Sequence, residues 1–315
     1  MKLFNFTFCK PTRHFIIKIF GIKFKIKKFI ITNNEKYDYL YSLLNHCIDI
    51  TKIPPAKGEI RKIQDELIIL MNEIDSICRN NNLQYWLDSG TLLGAYRHKG
   101  FIPWDADIDI CMMRSDYDKI RVLLKKHLKN PNFYIRERAI SCNNFQIRII
   151  SKNKLEYGLD IFPVDEYPEE ELTPELKEKI KNKMIKAQTL FNKKYNQGKN
   201  FTSEKYKQAL EDLITYRDKY ILENNTLKVN KPILFFGIDF SLEGKYSFAM
   251  PNNYIFPLKE LSFEGQKYFC PNNVEAYLND KYNGNYMNFP KFINNVTNGE
   301  IKYLKDLHKE ISWNI

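Results

Sequence analysis

Residues 105–113, DADIDICMM, alternate acidic with apolar side chains, and this alternation restricts what the segment can fold into. In an extended strand, residues two apart point to the same face at a spacing of about 6.6 Å. The apolar set Ile108, Ile110 and Met112 therefore faces a core, and the acids face the other way. A turn would not carry the apolar alternation through the acids, so the pattern predicts a strand over 107–113.

Two carboxylates on one face of a strand repel each other unless a cation lies between them. Carboxylate oxygens are hard ligands that suit Mg²⁺ or Mn²⁺, ions that usually also coordinate a substrate phosphate. We therefore predict Asp107 and Asp109 as metal ligands and catalytic residues, with Asp105 as a further candidate. The alternative is a solvated, acidic strand edge without a metal.

A second signal is the run Ser89-Gly90-Thr91, which lies between a predicted strand and a predicted helix. Such a turn presents backbone N–H groups and a helix N-terminus to an anion. Gly90 allows a phosphate to approach the backbone, and Thr91 is expected to cap the helix and offer its hydroxyl. Taken alone, the run is also typical of an ordinary capped turn.

A third acid, Asp160, lies between Leu159 and Ile161 on a later predicted strand. An isolated carboxylate there is more often a strand-end cap. Three carboxylates on neighbouring strands beside a phosphate-binding turn are typical of metal-dependent phosphoryl or nucleotidyl transfer.

The remaining pattern predicts an α/β (α+β) chain. Glu59 to Asn80 has apolar residues at helical spacing, and strands and helices alternate after it as far as Pro168. We expect five segments: a basic arm (1–34), a linker (35–58), the catalytic core (59–168), a helical segment (169–230) and a loop-rich C-terminal part of the same domain (231–315).

Charge is concentrated at the N-terminus. Residues 1–34 hold eight basic residues and no acid, whereas the rest of the chain holds 41 basic and 38 acidic residues. A nearly balanced body does not favour nucleic-acid binding. Ile22 to Lys27 alternate apolar residues with lysine and predict a strand paired with 15–20. This strand is interpreted either as a lysine-protected edge or as a patch that contacts anionic lipid at the membrane.

Cysteine and histidine are scattered, without Cys-x-x-Cys or paired histidines, so a zinc site of the finger type is excluded. Isolated cysteines are typical of a reducing compartment. No apolar stretch approaches the roughly 20 residues of a membrane span, and no secretory signal is recognisable. We therefore expect a cytoplasmic protein, peripheral at the inner face of the membrane if the arm binds lipid.

Four stretches resemble the LicD family of phosphotransferases, which also includes fukutin and the fukutin-related protein. They are LDSGTLLGAYRHKGFIPWDADIDI (87–110), GLDIFPVDEYP (158–168), FPLKELSFEGQKYFCP (256–271) and AYLNDKYNGNYMNFP (276–290).

The resemblance implies a nucleotidyltransferase-like fold, a mixed sheet flanked by helices, with Mg²⁺ or Mn²⁺ as cofactor. It also implies transfer of a phospho-alcohol from a CDP-alcohol, CDP-choline foremost, to a hydroxyl of a glycan such as lipopolysaccharide, teichoic acid or capsule. Asp107, Asp109 and Asp160 would match the metal-binding, catalytic acids. The substrate contacts would be Ser89, Gly90, Thr91, Arg97, His98, Lys99 and Trp104.

Two departures from the family pattern are visible. Ala106 interrupts a run of acids, so position 106 cannot be a ligand, and Asn285 stands where relatives usually carry an acid. The second departure bears on the acceptor side of the pocket.

Several alternatives stay open at this point. The chain is either the phosphotransferase, a nucleotidyltransferase that moves NMP from an NTP, or a non-catalytic protein in which the acids bind a structural cation. Asp160 either completes the metal site or accepts the hydroxyl proton, and His98 is either an acid–base group or a loop residue. An aromatic ring at Trp86, Tyr96 or Trp104 would suit a quaternary ammonium, although core packing is expected of Trp86.

Overall fold

A mixed sheet of seven strands contains the two strands on which Asp107, Asp109 and Asp160 lie. The computed structural model describes residues 4–9, 14–19, 22–27, 41–42, 45–136, 146–153, 157–195, 203–240 and 248–289. The chain divides into two compact units, one of residues 1–53, 57–59 and 288–315 and the other of residues 54–56 and 60–287. The expectations for the rest of the basic arm and of the C-terminal part lie outside the described residues.

The smaller unit contains an antiparallel sheet of β1 (Phe4–Cys9), β2 (His14–Ile19) and β3 (Ile22–Lys27), in that order. The predicted pairing of 22–27 with the preceding segment is confirmed, with Ile19 opposite Ile22. β1 was not predicted, although FNFTFC has the same period of two. A single 3₁₀ turn, Ile50–Lys52, also belongs to this unit.

The larger unit is built on the mixed sheet, in which the long strand β8 is central. β5 runs parallel to β8 along one edge, and the antiparallel strands β7 and β9 share its other edge. β4 pairs with β5, β6 with β7, and β10 with β9. The strands are β4 (Trp86–Leu87), β5 (Asp107–Met113), β6 (Phe133–Arg136), β7 (Ile147–Ser151), β8 (Gly158–Tyr167), β9 (Ile233–Phe236) and β10 (Ala249–Met250).

Helices flank this sheet, and a two-stranded hairpin follows it. The helices are α1 (Gly58–Asn80), α2 (Ser89–His98), α3 (Arg114–His127), α4 (Pro174–Tyr195), α5 (Ser203–Tyr216), α6 (Asn252–Ile255) and α7 (Val274–Lys281). The hairpin consists of β11 (Lys259–Phe263) and β12 (Gln266–Cys270). No helix in the described ranges is long and apolar enough to cross a membrane.

The α/β expectation is confirmed, and the helix predicted over 59–80 begins one residue earlier. The strand predicted over 107–113 is β5, with Ile108, Ile110 and Met112 fully buried as the alternation requires. The part beyond 231 is more regular than expected. Its short strands are aromatic and punctuated by proline, so no single stretch is long enough to show a clear period.

Candidate functional site

Asp107, Asp109 and Asp160 lie on two neighbouring parallel strands. Asp109 of β5 is the register partner of Asp160 of β8, and Asp107 is opposite Gly158. Neighbouring strands are about 4.8 Å apart, and register partners point to the same face. The structure therefore brings the three predicted acids to one face, where Asp107 is exposed and the other two are half-buried.

The turn between β4 and α2 is fastened to the backbone of Asp109 from both sides. The Asp109 N–H donates to Thr91 Oγ1 over 2.9 Å. The Asp109 carbonyl accepts from the Asp88 N–H, also over 2.9 Å. Ser89, the first residue of α2, has a φ of 47° in the left-handed region, which marks a sharp entry into the helix. These two hydrogen bonds fix the position of Asp109 relative to the turn.

The expectation that Thr91 caps the helix is wrong. α2 begins at Ser89, and Asp88 occupies the N-cap position. Thr91 is buried, and its hydroxyl holds the Asp109 backbone. The first intrahelical bond runs from the Leu92 N–H to the Asp88 carbonyl, so the preceding N–H groups lie outside the helical ladder. An anion site at a helix N-terminus requires such groups.

Gly90 is approached closely, but by a carboxylate of the chain itself. A Cβ at position 90 would lie 2.5 Å from Oδ2 of Asp105, so a larger residue there would require that carboxylate to move. The partial positive charge at the N-terminus of α2 favours an acid at this place. A phosphate that docks on this turn would have to displace Asp105 or bind next to it.

The loop that follows α2 runs back along the helix and delivers Asp105 to its N-terminus. Near the far end of α2, a Cβ at Gly94 would lie 2.5 Å from the carbonyl oxygen of Gly100. The buried Gln64 of α1 donates from Nε2 to the Asp105 carbonyl over 2.9 Å. Glu264 in the β11–β12 turn accepts a backbone N–H of the loop over 3.0 Å. Three separate elements therefore set the position of this loop.

The basic run Arg97-His98-Lys99 lies at the C-terminal end of α2. Ten residues at about 1.5 Å each place the two ends of this helix about 15 Å apart. Arg97 is 7% exposed and donates from Nη1 to the Tyr286 carbonyl over 2.7 Å. Burial lowers the pKa of Arg97 to about 10, and burial together with the Arg97 charge lowers the pKa of His98 to about 4. Lys99 is exposed at the opposite end of α2 from the turn.

The three candidate aromatic residues have different surroundings. Trp86 is fully buried and packs edge-to-face on Phe256 with ring centroids 6.0 Å apart, which is the core role expected of it. The Tyr96 hydroxyl donates to Glu275 of α7 over 2.6 Å. Trp104 is half-buried and directly precedes Asp105.

A buried ion pair behind the turn, between Asp88 and Lys281, was not predicted from the sequence. Asp88 is 0% exposed and accepts from Lys281 Nζ at 2.6 Å on both carboxylate oxygens and from the Tyr277 hydroxyl at 2.6 Å. Burial opposes ionisation, but the Lys281 charge and the hydrogen bonds from Lys281, Tyr277 and the Ser89 N–H together outweigh it, so the pKa of Asp88 is lowered. No local pattern joins the two partners, which are 193 residues apart in the chain.

Arg148 was also missed, although a signal for it exists. It is the register partner of Asp160 on β7, and its Nε donates to Asp160 Oδ1 over 2.7 Å. Gln146 donates to the other oxygen over 3.4 Å. In FQIRIIS, Gln146 and Arg148 alternate with isoleucine, so the period-two rule applied to the acids would have placed them on one face.

Asp109 is at the centre of the acidic cluster. Burial raises the pKa of Asp109 well above its ordinary value, and the charges of Asp107, Asp160, Asp88 and Asp105 raise it further. The pKa of Asp160 is also raised, because burial outweighs the opposing charge of Arg148. A cation near Asp107 and Asp109 would relieve this repulsion.

The donor set suits a hard divalent cation but does not enclose one. Across the described residues, no three His, Cys, Asp or Glu side chains converge to hold a metal ion by themselves. Asp160 is paired with Arg148, whereas Asp107 and Asp109 lie two residues apart on one face of β5. Magnesium usually keeps only one or two protein carboxylates and takes its other ligands from water and substrate phosphate, which fits this arrangement.

Comparison with known proteins finds a matching family and named relatives. Residues 82–207 match the LicD/FKTN/FKRP nucleotidyltransferase domain model. The chain is 26% identical over 257 residues to the lipopolysaccharide cholinephosphotransferase LicD of Haemophilus influenzae, covering 72% of this chain and 92% of that protein. It is 30% identical over 84 residues to the human ribitol 5-phosphate transferase FKRP, covering 26% of this chain and 17% of that protein.

A Rickettsia prowazekii protein, RP689, is 37% identical over 105 residues, which is 32% of this chain and 39% of that protein. The chain therefore spans nearly all of the Haemophilus relative and a smaller share of the other two. The domain match covers β4 to β8, the strands that carry the acids and the turn. Residues 82–207 are thus similar to the LicD nucleotidyltransferase domain, and the similarity that extends over 257 residues is to a LicD protein.

Proposed function

We propose that the chain is a LicD-type phosphotransferase. It moves a phospho-alcohol, phosphocholine foremost, from a CDP-alcohol to a hydroxyl of a cell-surface glycan. The family match and the names of the bacterial and human relatives support the class of reaction and the glycan acceptor.

One observation carries the proposal. Asp109 is in register with Asp160, and Asp107 shares their face. The backbone of Asp109 is bonded directly to the turn that opens α2. The residues proposed to hold a divalent cation, those proposed to bind an anion and a second carboxylate are therefore adjacent, an arrangement that supports transfer from a diphosphate ester.

In the proposed reaction the acids and the turn have different roles. Asp107 and Asp109 would hold Mg²⁺ or Mn²⁺, which when bound neutralises phosphate charge. The backbone N–H groups at the start of α2 would bind and orient the diphosphate. Asp160 accepts the proton of the attacking hydroxyl or completes the metal site, and its raised pKa suits proton acceptance.

The balance of the reaction is simple. The acceptor oxygen bonds to the phosphorus that carries the alcohol, and the bond from that phosphorus to the CMP oxygen breaks. CMP leaves with the electron pair, and the hydroxyl proton passes to the base.

Trp104 is the aromatic residue that we assign to the choline head group. Trp86 is sealed in the core, and the Tyr96 hydroxyl is bonded to Glu275. Trp104 is half-buried and adjacent in sequence to Asp105, the carboxylate that lies on the turn. An indole face near a quaternary ammonium is favourable.

The protein is placed by this proposal at the cytoplasmic face of the membrane, where the basic residues of 1–34 contact anionic lipid. The nearly balanced charge of the remaining chain argues against a nucleic-acid partner.

A panel of donors tests the proposal. CDP-choline, CDP-ribitol, CDP-glycerol and labelled NTPs are incubated with the protein, Mg²⁺ and a glycan acceptor, with and without EDTA. We expect CMP release from a CDP-alcohol, none with EDTA, and a loss of about 10²–10³-fold in turnover in Asp107→Asn or Asp109→Asn. Transfer of NMP from an NTP, or undiminished turnover in either variant, would contradict it.

A further inference from the structure

A row of four charged residues crosses the sheet at the candidate site. Arg136 of β6 is opposite Arg148 of β7, Arg148 is opposite Asp160 of β8, and Asp160 is opposite Asp109 of β5. Register partners share a face, so the two arginines continue the face that carries the acids. Each step along the row is one strand spacing of about 4.8 Å.

Only one nitrogen of the Arg148 guanidinium bonds Asp160. Its Nε donates to Asp160, and no other hydrogen bond or ion pair of Arg148 is formed with the described residues. Its side chain is 40% exposed. Four of the five N–H donors of a guanidinium belong to the terminal nitrogens, so the fork remains available to a ligand.

Arg136 differs from Arg148, which is paired with Asp160. It is half-buried, and within the described ranges it forms no ion pair. Like charges directly opposite each other on neighbouring strands are destabilising. Asp160 offsets part of this repulsion, since the charges of both arginines act to lower its pKa. The planar guanidinium forks match the geometry of a phosphate, which would offset the rest.

We propose that Arg136 and Arg148 form a phosphate-binding edge of the site, next to the acids and distinct from the turn that opens α2. The ligand is a phosphate group. It comes from the diphosphate of the donor or from a phosphorylated sugar of the acceptor, and this last assignment rests on the proposed function.

Binding of inorganic pyrophosphate, measured by calorimetry in EDTA, tests the site without turnover. Arg136→Gln and Arg148→Gln each remove one positive charge. Lys152→Gln removes the same charge from the far end of the β6–β7 pair, where Lys152 is exposed. We expect binding about tenfold weaker in each arginine variant and unchanged in Lys152→Gln. Equal binding in Arg136→Gln and the unsubstituted protein, or equal weakening in Lys152→Gln, would overturn the proposal.

A second set of measurements shows whether a variant binds weakly only because it does not fold. Arg148→Gln leaves Asp160 without its partner, so thermal unfolding is recorded for every variant and Arg148→Gln/Asp160→Asn is included. Arg136 has no ion pair to lose among the described residues, so Arg136→Gln decides the question by itself if Arg148→Gln does not fold. Arg136→Lys, which keeps the charge, should retain most of the binding.

Kinetics then identify the source of the phosphate. A rise in KM for the CDP-alcohol with an unchanged acceptor KM assigns the edge to the donor, and the reverse assigns it to the acceptor. If neither KM changes, the edge is not part of the site. If the unsubstituted protein releases no CMP from any CDP-alcohol, the proposed function fails, and the pyrophosphate experiment still decides whether the edge binds phosphate.

Discussion

Among single residues, Asp109 is held in place by its neighbours although the nearby acids repel its carboxylate. Its backbone is held at both the N–H and the carbonyl, while its carboxylate faces other acids in a partly buried place. Only the surrounding elements keep that carboxylate where repulsion would push it away. Such conflict between local stability and position is typical of functional residues.

A stability measurement follows from the raised pKa of Asp109. A carboxyl whose folded pKa is raised binds its proton more tightly in the folded state. The metal-free protein therefore loses stability as pH rises from the ordinary Asp value of about 3.9 through the raised value, by about 1.4 kcal/mol for each unit of pKa. Asp109→Asn removes this loss.

We expect Asp109→Asn to unfold at a higher temperature than the unsubstituted protein at neutral pH in EDTA, and the difference to shrink towards pH 4. Thermal unfolding at a series of pH values measures it. A variant that is less stable at every pH would show that Asp109 is not strained.

At the scale of secondary-structure elements, α7 supports the turn from behind. Lys281 and Tyr277 both bond the carboxylate of Asp88, the residue that joins β4 to α2. Removal of one partner of a buried ion pair leaves an uncompensated charge and costs about 3–5 kcal/mol.

Lys281→Met should therefore lower the free energy of unfolding by about 3–5 kcal/mol, and Asp88→Asn should also be destabilising. The double variant Asp88→Asn/Lys281→Met should cost clearly less than the two single changes added together, because neither charge is then left alone. Urea unfolding of the four proteins completes the cycle. Additive costs would mean that the pair does not act as a unit.

The strand β5 was predictable from the sequence. The alternation through Asp107 and Asp109 predicts β5 and its buried face, because a period of two is a local property. The pairing of β5 with β8 was less accessible, since the β6–β7 hairpin lies between them in the chain. Asp160 was recognisable as an acid on a strand, but its register with Asp109 came only from the structure.

What was missed depends on tertiary contacts. Lys281 meets Asp88 across most of the chain, and no spacing rule connects them. The sequence suggested that the basic run Arg97-His98-Lys99 lies beside the turn. Instead, α2 places Lys99 at its opposite end. The loop that follows brings Asp105 back to the turn. Thr91 resembled a cap because hydroxyl residues favour that position, yet the helix begins two residues earlier.

At the scale of the whole molecule, the charge distribution separates the arm from the body. Removal of residues 1–30 takes away eight basic residues and should weaken binding to vesicles that contain anionic lipid. CMP release on a soluble acceptor should persist, because the acids and the turn lie in the other compact unit. Vesicle co-sedimentation measures the first effect. Undiminished sedimentation of the truncated protein would refute the lipid-contact interpretation.

We propose that Asp107 and Asp109 share one divalent cation, and Mn²⁺ binding followed by electron paramagnetic resonance tests this. Glu166→Gln is the matched control, because Glu166 is an exposed acid at the far end of β8, about 20 Å from Asp160. We predict that the unsubstituted protein and Glu166→Gln bind Mn²⁺ alike in the presence of CDP-choline, and that Asp107→Asn and Asp109→Asn bind it at least about tenfold more weakly. Unchanged Mn²⁺ affinity in either aspartate variant would contradict the account.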